Sequence, residues 1–181
     1  MKRIYLIRHG ETAANKEGVF RGRCDVDLSA LGFEQAGDLA GYFEDIAIDY
    51  IFSSPQKRAI QTAESAFPGR EITPEELVDN LDHGDWTGVP KARIQKEDPK
   101  SWHLWTTEPE KLTLPGGESV RDVYVRAGRF LDKLAGLPFE AAAVVSHRSE
   151  IKSIIAAALG VALAFLEETA DCRTMAATTC F

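Results

Sequence analysis

Apolar segments that alternate with amphipathic helical patterns predict an α/β domain. We expect a three-layer α/β/α arrangement with a mainly parallel central sheet. Three short apolar runs carry this prediction, at residues 4–7, 50–53 and 141–145. The run at 141–145 has no polar alternation, which is typical of a parallel strand that is covered on both faces. Residues 1–181 are expected to form a single domain, because no repeat or linker divides them and their number suits one core.

Capping signals and apolar spacing predict the first two helices. Ser29 is suited to cap a helix whose apolar residues recur at three- and four-residue spacing. The expected buried stripe consists of Leu31, Ala36, Leu39, Ala40 and Phe43. After the second strand, Ser54 and Pro55 have the form of an N-cap and a first helical position, so a helix is expected over residues 55–67.

The second half of the chain begins with an irregular segment. Residues 73–117 hold five of the eight prolines and all three tryptophans, so we expect loops and short helices that cover one end of the sheet. Ser119 with Asp122 has the form of a capping box, which predicts a helix after it. Its apolar face consists of Val120, Val123, Ala127, Phe130, Leu131 and Leu134. A last helix is expected over residues 150–159.

Charge and composition limit the classes of function. The net charge of −7 provides no broad basic surface, so neither nucleic acid nor a membrane is expected as a partner. The apolar run at 4–7 is too short for a signal peptide, and no segment approaches the roughly 18 apolar residues of a membrane span. We expect a cytoplasmic protein whose three cysteines are reduced. The sequence does not indicate an oligomeric state.

Histidines and arginines follow the three predicted strands. Arg8 and His9 come directly after the first strand, Arg58 follows the second, and His147 follows the third. Because ligands bind at the carboxyl ends of parallel strands, we expect these four side chains to converge. Arginines match phosphate oxygens, one imidazole can attack phosphorus, and a second can hold a proton or stabilise charge. The sequence therefore predicts a site for a phosphoryl group.

No metal or organic cofactor is expected. The chain shows no convincing ligand set of cysteines, histidines and carboxylates, and two arginines and two histidines already supply positive charge. The expected partner is a small phosphorylated substrate.

Several sequence blocks resemble, in order, those of the histidine phosphatase superfamily, which includes the cofactor-dependent phosphoglycerate mutases. The blocks lie at residues 6–12 (LIRHGET), 20–23 (FRGR), 28–32 (LSALG), 53–63 (SSPQKRAIQTA), 84–88 (GDWTG), 115–119 (PGGES) and 144–147 (VVSH). They span nearly the whole chain. The resemblance implies a phosphoglycerate mutase-like fold.

The resemblance also implies roles for individual residues. His9 matches the phosphorylated nucleophile, and Arg8, Arg58 and His147 match the rest of the phosphate pocket. The expected substrate-binding set consists of Gly10, Asn15, Arg21 and Arg148. Among these, Arg148 departs from the family pattern, because glycine usually follows the second histidine. A cation at that position would narrow the site or add a contact to an anion.

The proton donor is the second departure from the family pattern. The family's acid matches Asn80, which cannot donate a proton as a carboxylic acid does. Asp79 and Asp82 flank it and are the two candidates. Asp82 is preferred because it precedes His83 and Gly84 in the loop expected to overhang the pocket.

We expect hydrolysis of a phosphomonoester through a phosphohistidine, as in the broad phosphatase branch that includes α-ribazole phosphatases. One alternative is a mutase-type phosphotransferase, in which Arg21, Arg23 and Arg148 would hold a second phosphate. The short segment at 88–117 and the chain end soon after the last predicted strand favour the hydrolase, because related mutases are usually longer. The other alternative is a phosphate-binding module with weak or no turnover, which Asn80 would allow.

Overall fold

The computed structural model describes residues 2–13 and 18–160 and the backbone of 177–180. Its strands are β1 (Arg3–Arg8), β2 (Tyr50–Ser53), β3 (Thr73–Pro74), β4 (Ala141–Ser146) and β5 (Ala177–Cys180). Its helices are α1 (Ala30–Phe43), α2 (Lys57–Ala66), α3 (Lys91–Glu97), α4 (Pro99–Thr107), α5 (Val120–Ala135) and α6 (Arg148–Leu159). Short 3₁₀ turns lie at Glu76–Val78, Gly84–Trp86 and Pro109–Lys111. Within these residues, no helix has the length and apolar character needed to cross a bilayer.

The described strands form one sheet in the order β3-β2-β4-β1-β5. Neighbours from β3 to β1 run parallel, and β5 pairs antiparallel with β1. The predicted mainly parallel sheet is confirmed. The two edge strands, β3 and β5, were not predicted, because such short segments become strands through pairing with a distant neighbour more than through their local pattern.

Helices cover both faces of the sheet, which confirms the three-layer arrangement. Tyr5 and Ile7 of β1 pack in one core with side chains of α1 and α2. Leu6 points to the opposite face and packs with α5 and α6. This division follows from the two-residue period of a strand, in which successive side chains alternate between faces.

The start of α1 agrees with the prediction in its cap and differs in its buried stripe. Ser29 caps the helix, and its hydroxyl accepts from the backbone N–H of Gly32 at 3.1 Å. Leu31, expected in the core, is 45% exposed, and that part of the prediction is wrong. Gly32 faces inward instead, since a Cβ there would lie 2.1 Å from the carbonyl oxygen of Glu11. The backbone after β1 therefore packs directly on the first turn of α1.

Two helix boundaries also differ from the prediction. Helix α2 begins at Lys57 with Gln56 as N-cap, so Ser54 and Pro55 precede it. The Ser54 hydroxyl is hydrogen-bonded in the site described below, and this tertiary role explains why it does not cap α2. Helix α6 begins at Arg148, two residues earlier than expected. The predicted capping box of α5 is confirmed.

The segment at 73–117 forms loops and short helices, as predicted. A third apolar cluster lies beneath it. This cluster consists of Phe20, Leu81, Trp86, Ile94, Leu112, Leu114 and Val123. The cluster holds the segment at 73–117 over the carboxyl edge of the sheet. There the segment forms one wall of a cavity that is described below.

Candidate active site

The three central strands end at the same edge of the sheet. Arg8 of β1 pairs with Ser146 of β4, and Ser53 of β2 pairs with Val145 of β4. The next residue after each strand is therefore held at this edge. The N–H of His9 donates to the Ser146 carbonyl at 3.0 Å. Sheet register thus brings together the segments that follow β1, β2 and β4, as expected from the sequence.

His9 is held in one tautomer. Its Nδ1 lies 2.8 Å from the carbonyl oxygen of Gly10, and because a carbonyl can only accept, Nδ1 carries the proton. Nε2 is then left with its lone pair. Desolvation, together with the positive charges of Arg58 and Arg8, lowers the pKa of His9 to about 3. His9 is therefore neutral near pH 7 and needs no base to become a nucleophile.

His147 lies beside His9, with 5.1 Å between the ring centroids, and is only 2% exposed. Arg58 donates from Nη2 to Nδ1 of His147 at 3.3 Å. Nε2 of His147 donates to the hydroxyl of Ser54 at 2.8 Å. Burial, followed by the neighbouring charges of His9 and Arg58, lowers the pKa of His147 well below its ordinary value. Both ring nitrogens are thus engaged by protein groups, which fixes the orientation of the ring.

Arg58 occupies the first turn of α2 and is also only 2% exposed. Its Nη1 donates to the carbonyl of Cys24 at 2.7 Å, and its Nη2 contacts the carbonyl of Gly22 at 3.2 Å. Burial lowers the pKa of Arg58, but a guanidinium remains charged in proteins. The side chain is therefore a fixed positive charge between the two histidines and the loop at 22–24.

Gly10 contributes packing and one backbone donor. Its N–H donates to Oγ1 of Thr62 in α2 at 3.0 Å. A Cβ at this position would lie 2.6 Å from the carbonyl oxygen of Gly32, so only glycine fits the close approach of the two backbones. Gly10 was expected in the substrate-binding set, and its N–H is bonded to protein. Asn15, from the same set, lies outside the described residues.

A cavity of about 510 Å³ opens over the two histidines. Among the described residues, six cationic side chains and one carboxyl line it. The cations are Arg8, Arg21, Arg58, Lys91, Arg148 and Lys152, and the carboxyl is that of Glu110. The wall is strongly positive although the whole chain carries a charge of −7. Such a local field attracts a small anion against the overall charge.

Asp79 is buried beneath the cavity and does not line it. The Ser54 hydroxyl donates to its Oδ1 at 2.9 Å, and the N–H of Asn80 donates to the same oxygen at 2.7 Å. Its Oδ2 pairs with Nε of Arg23 at 3.1 Å. The Asp79 carboxylate is thus an acceptor that orients Ser54, and through Ser54 it orients His147.

Asp82 also lies off the cavity wall. Its Oδ1 accepts from the N–H of Gly84 at 2.9 Å, and its Oδ2 lies 3.7 Å from Nη1 of Arg23. The amide of Asn80 does line the cavity, where its Nδ2 donates to the carbonyl of Gly22 at 2.7 Å. Neither aspartate that sequence reasoning offered as the proton donor is therefore placed where a leaving group would lie.

Arg23 organises the loop that carries these aspartates. Besides its contacts with Asp79 and Asp82, its Nη2 lies 3.2 Å from Oε2 of Glu118. Glu118 in turn pairs with Arg126 of α5 at 3.1 Å. Arg23 is absent from the cavity wall, so it does not add to the anion-binding set that the mutase alternative assigned to it.

Sequence reasoning missed several residues of the cavity wall. Lys91 and Glu110 come from the segment at 73–117, where no local pattern marks them as residues of the cavity. His83 lies against Phe20 and Trp105, and burial lowers its pKa to about 4. Lys152 was detectable, because it stands four residues after Arg148 and so shares its helix face. In the described residues, no group of three or more His, Cys, Asp or Glu side chains is arranged to hold a metal ion.

The chain is similar in sequence to several phosphatases and in fold to several solved structures. The chain is 34% identical over 166 residues to phosphoserine phosphatase 1 of Hydrogenobacter thermophilus, an alignment that covers 90% of this chain and 79% of the relative. It is 29% identical over 163 residues to the adenosylcobalamin/alpha-ribazole phosphatase of Escherichia coli, with coverage of 88% and 80%. Among solved structures, YhfR of Bacillus stearothermophilus matches with a TM-score of 0.86 at 29% identity, covering 92% of this chain and 84% of that chain.

A mycobacterial glucosyl-3-phosphoglycerate phosphatase matches with a TM-score of 0.84 at 27% identity, with coverage of 93% and 87%. The model of the histidine phosphatase superfamily, branch 1, matches residues 4–178. That match includes the strand ends that carry His9 and His147. With nearly the full length matched, this chain belongs to branch 1 of the histidine phosphatase superfamily.

Proposed function

We propose that this protein hydrolyses a small phosphomonoester through a phosphohistidine on His9. The observation that carries the proposal is the neutral, Nδ1-protonated state of His9 beside Arg8, Arg58 and His147 in a positive cavity. The phosphatases to which the chain is similar are named for small phosphorylated metabolites, which supports the same class of substrate here.

The reaction would proceed in two displacements. In the first, the lone pair of His9 Nε2 attacks phosphorus, the bond to the leaving oxygen breaks, and an acid protonates that oxygen. In the second, water attacks phosphorus and gives a proton to the acid that was deprotonated in the first step. The phosphorus–nitrogen bond breaks, which releases phosphate and restores the neutral imidazole of His9. Arg8 and Arg58 would stabilise the charge on the transferring phosphoryl group, and His147, whose ring nitrogens contact Arg58 and Ser54, would orient the Arg58 guanidinium.

The acid is proposed to be Glu110. Sequence reasoning preferred Asp82, with Asp79 as the alternative, but both carboxyls are bonded to protein groups away from the cavity. Glu110 supplies the carboxyl that lines the cavity in the described part of the chain. Its turn, Pro109–Lys111, belongs to the irregular segment at 73–117, which supplies part of the cavity wall.

Product partition separates this proposal from a mutase. The protein is incubated with 3-phosphoglycerate and a trace of the bisphosphate, and free phosphate and 2-phosphoglycerate are measured together. Phosphate release without isomerisation supports the hydrolase. Rapid isomerisation with little free phosphate would establish the mutase. If neither 3-phosphoglycerate nor nitrophenyl phosphate is turned over, the protein is a phosphate-binding module.

A further inference from the structure

We propose that the cavity contains a subsite for a second anionic group of the substrate, formed by Arg148 and Lys152 of α6. The proposal rests on the proposed function, because it takes the phosphoryl group to lie at His9. It narrows the substrate class to phosphomonoesters that carry a further carboxylate or phosphate on a short chain.

The distribution of charge in the cavity supports this subsite. Arg8 and Arg58 adjoin the two histidines and suffice to contact the oxygens of one phosphoryl group. Arg148 and Lys152 line the same cavity from α6. A volume of about 510 Å³ is that of a pocket for a whole metabolite, well beyond what a phosphoryl group fills. Cations that line the cavity in addition to Arg8 and Arg58 favour a second negative group in it.

The geometry of α6 places the two cations together. The helix begins directly after His147, so its first turn adjoins the phosphoryl position. Arg148 and Lys152 are four residues apart and therefore lie on one helix face, about one turn of 5.4 Å from each other. The first turn is fixed to a neighbouring residue of the cavity wall, because the Ser149 hydroxyl donates to Oδ1 of Asn80 at 3.2 Å.

The binding of phosphonates of equal chain length tests the subsite without requiring turnover. Calorimetric titration of the wild type compares propylphosphonate, 3-phosphonopropanoate and propane-1,3-bisphosphonate. We expect at least one of the two doubly anionic ligands to bind about tenfold more tightly than propylphosphonate, as one added charge-assisted contact would give. Tighter binding of 3-phosphonopropanoate identifies the second anionic group of the substrate as a carboxylate, and tighter binding of the bisphosphonate identifies it as a phosphate.

Two variants and a matched control locate the effect. Lys152→Ala and Arg148→Ala should each remove most of the preference for the doubly anionic ligand, measured as a ratio of dissociation constants. Lys96→Ala removes the same charge from the exposed surface of α3 and should preserve the ratio. Equal affinity of the wild type for all three phosphonates would overturn the subsite. So would a ratio that neither variant changes. The proposed hydrolase is judged separately, by phosphate release from propyl phosphate.

Discussion

Ser54 connects His147 to a buried carboxylate, since its hydroxyl lies 2.8 Å from Nε2 of His147. The same hydroxyl donates to Oδ1 of Asp79 at 2.9 Å. The imidazole must therefore hold its proton on Nε2 and present Nδ1 to the guanidinium of Arg58. This chain of contacts was not evident from the sequence, where Ser54 has the form of a helix cap and Asp79 of a possible acid.

The contact predicts that Ser54→Ala and Asp79→Asn act through the orientation of His147. Each variant should lower kcat by about tenfold, because Ser54→Ala removes a hydrogen bond and Asp79→Asn replaces a charged acceptor with a weaker, neutral one. The loss should be the same for nitrophenyl phosphate and for an alkyl phosphate, because orientation of His147 matters to both. Ser53→Ala is the control, since that hydroxyl donates only to the adjacent Ser54 carbonyl at 2.9 Å. A loss in Asp79→Asn confined to the alkyl ester would mean that Asp79 is the acid instead.

Glu110→Gln tests the proposed proton donor. General acid catalysis typically contributes about 10²–10⁴-fold and matters most for poor leaving groups. The variant should lose roughly a hundredfold in kcat on an alkyl phosphate and little on nitrophenyl phosphate. Glu108→Gln is a matched control, because Glu108 pairs with Lys111 at the surface and does not line the cavity. An undiminished alkyl rate in Glu110→Gln, with a selective loss in Asp82→Asn, would restore Asp82 to the role.

The state of His9 can be observed directly by nitrogen NMR of the imidazole rings. Because the pKa of His9 is lowered to about 3, its ring should remain neutral between pH 5 and pH 8, with the proton on Nδ1. His9→Ala assigns the signals. The ordinary pKa of the imidazole is about 6.5, so a ring that gains a proton near that pH, or one protonated on Nε2, would contradict the arrangement.

The raised pKa of the buried Glu150 carboxyl predicts that the free energy of unfolding depends on pH. Glu150 is fully buried on α6, and burial raises its pKa to about 8 although Arg126 lies 2.7 Å away. The folded state therefore retains a proton that the unfolded state has released above its ordinary pKa of 4.5. Stability from this group is complete below that value and declines as the pH rises toward 8, by up to about 1.4 kcal/mol per pH unit.

Glu150→Gln should remove this decline, because a neutral amide replaces the neutral acid and does not titrate. The free energy of unfolding in urea is measured for both proteins at pH 5.5, 6.5 and 7.5. The difference between them should change steadily across that range in favour of the variant. Parallel curves would show that Glu150 is ionised throughout in the folded protein.

The central sheet and the convergence of its strand ends were predictable because both depend on local signals. The predicted apolar runs lie in β1, β2 and β4, which end immediately before His9, Ser54 and His147, and parallel pairing then brings those ends together. The side chains of Ser29 and Ser119 each cap a helix by accepting from a backbone N–H three residues later. The starts of α1 and α5 could therefore be predicted from the local sequence.

Long-range contacts account for what the sequence did not predict. Arg23 joins Asp79, Asp82 and Glu118, which are between 56 and 95 residues away along the chain, and no local pattern encodes such a cluster. The same holds for Glu110, which reaches the cavity through the packing of the apolar cluster around Phe20 and Trp86.

Trapping of the phosphoenzyme tests the central claim most directly. The wild type is mixed with a phosphorus-labelled substrate and quenched within milliseconds in alkali, and the protein is digested and sequenced by mass spectrometry. We predict one phosphate per chain on the peptide that contains His9, stable in alkali and lost in acid, and absent from His9→Ala. Normal turnover with no label on that peptide, or turnover by His9→Ala at more than a tenth of the wild-type rate, would contradict the phosphohistidine mechanism.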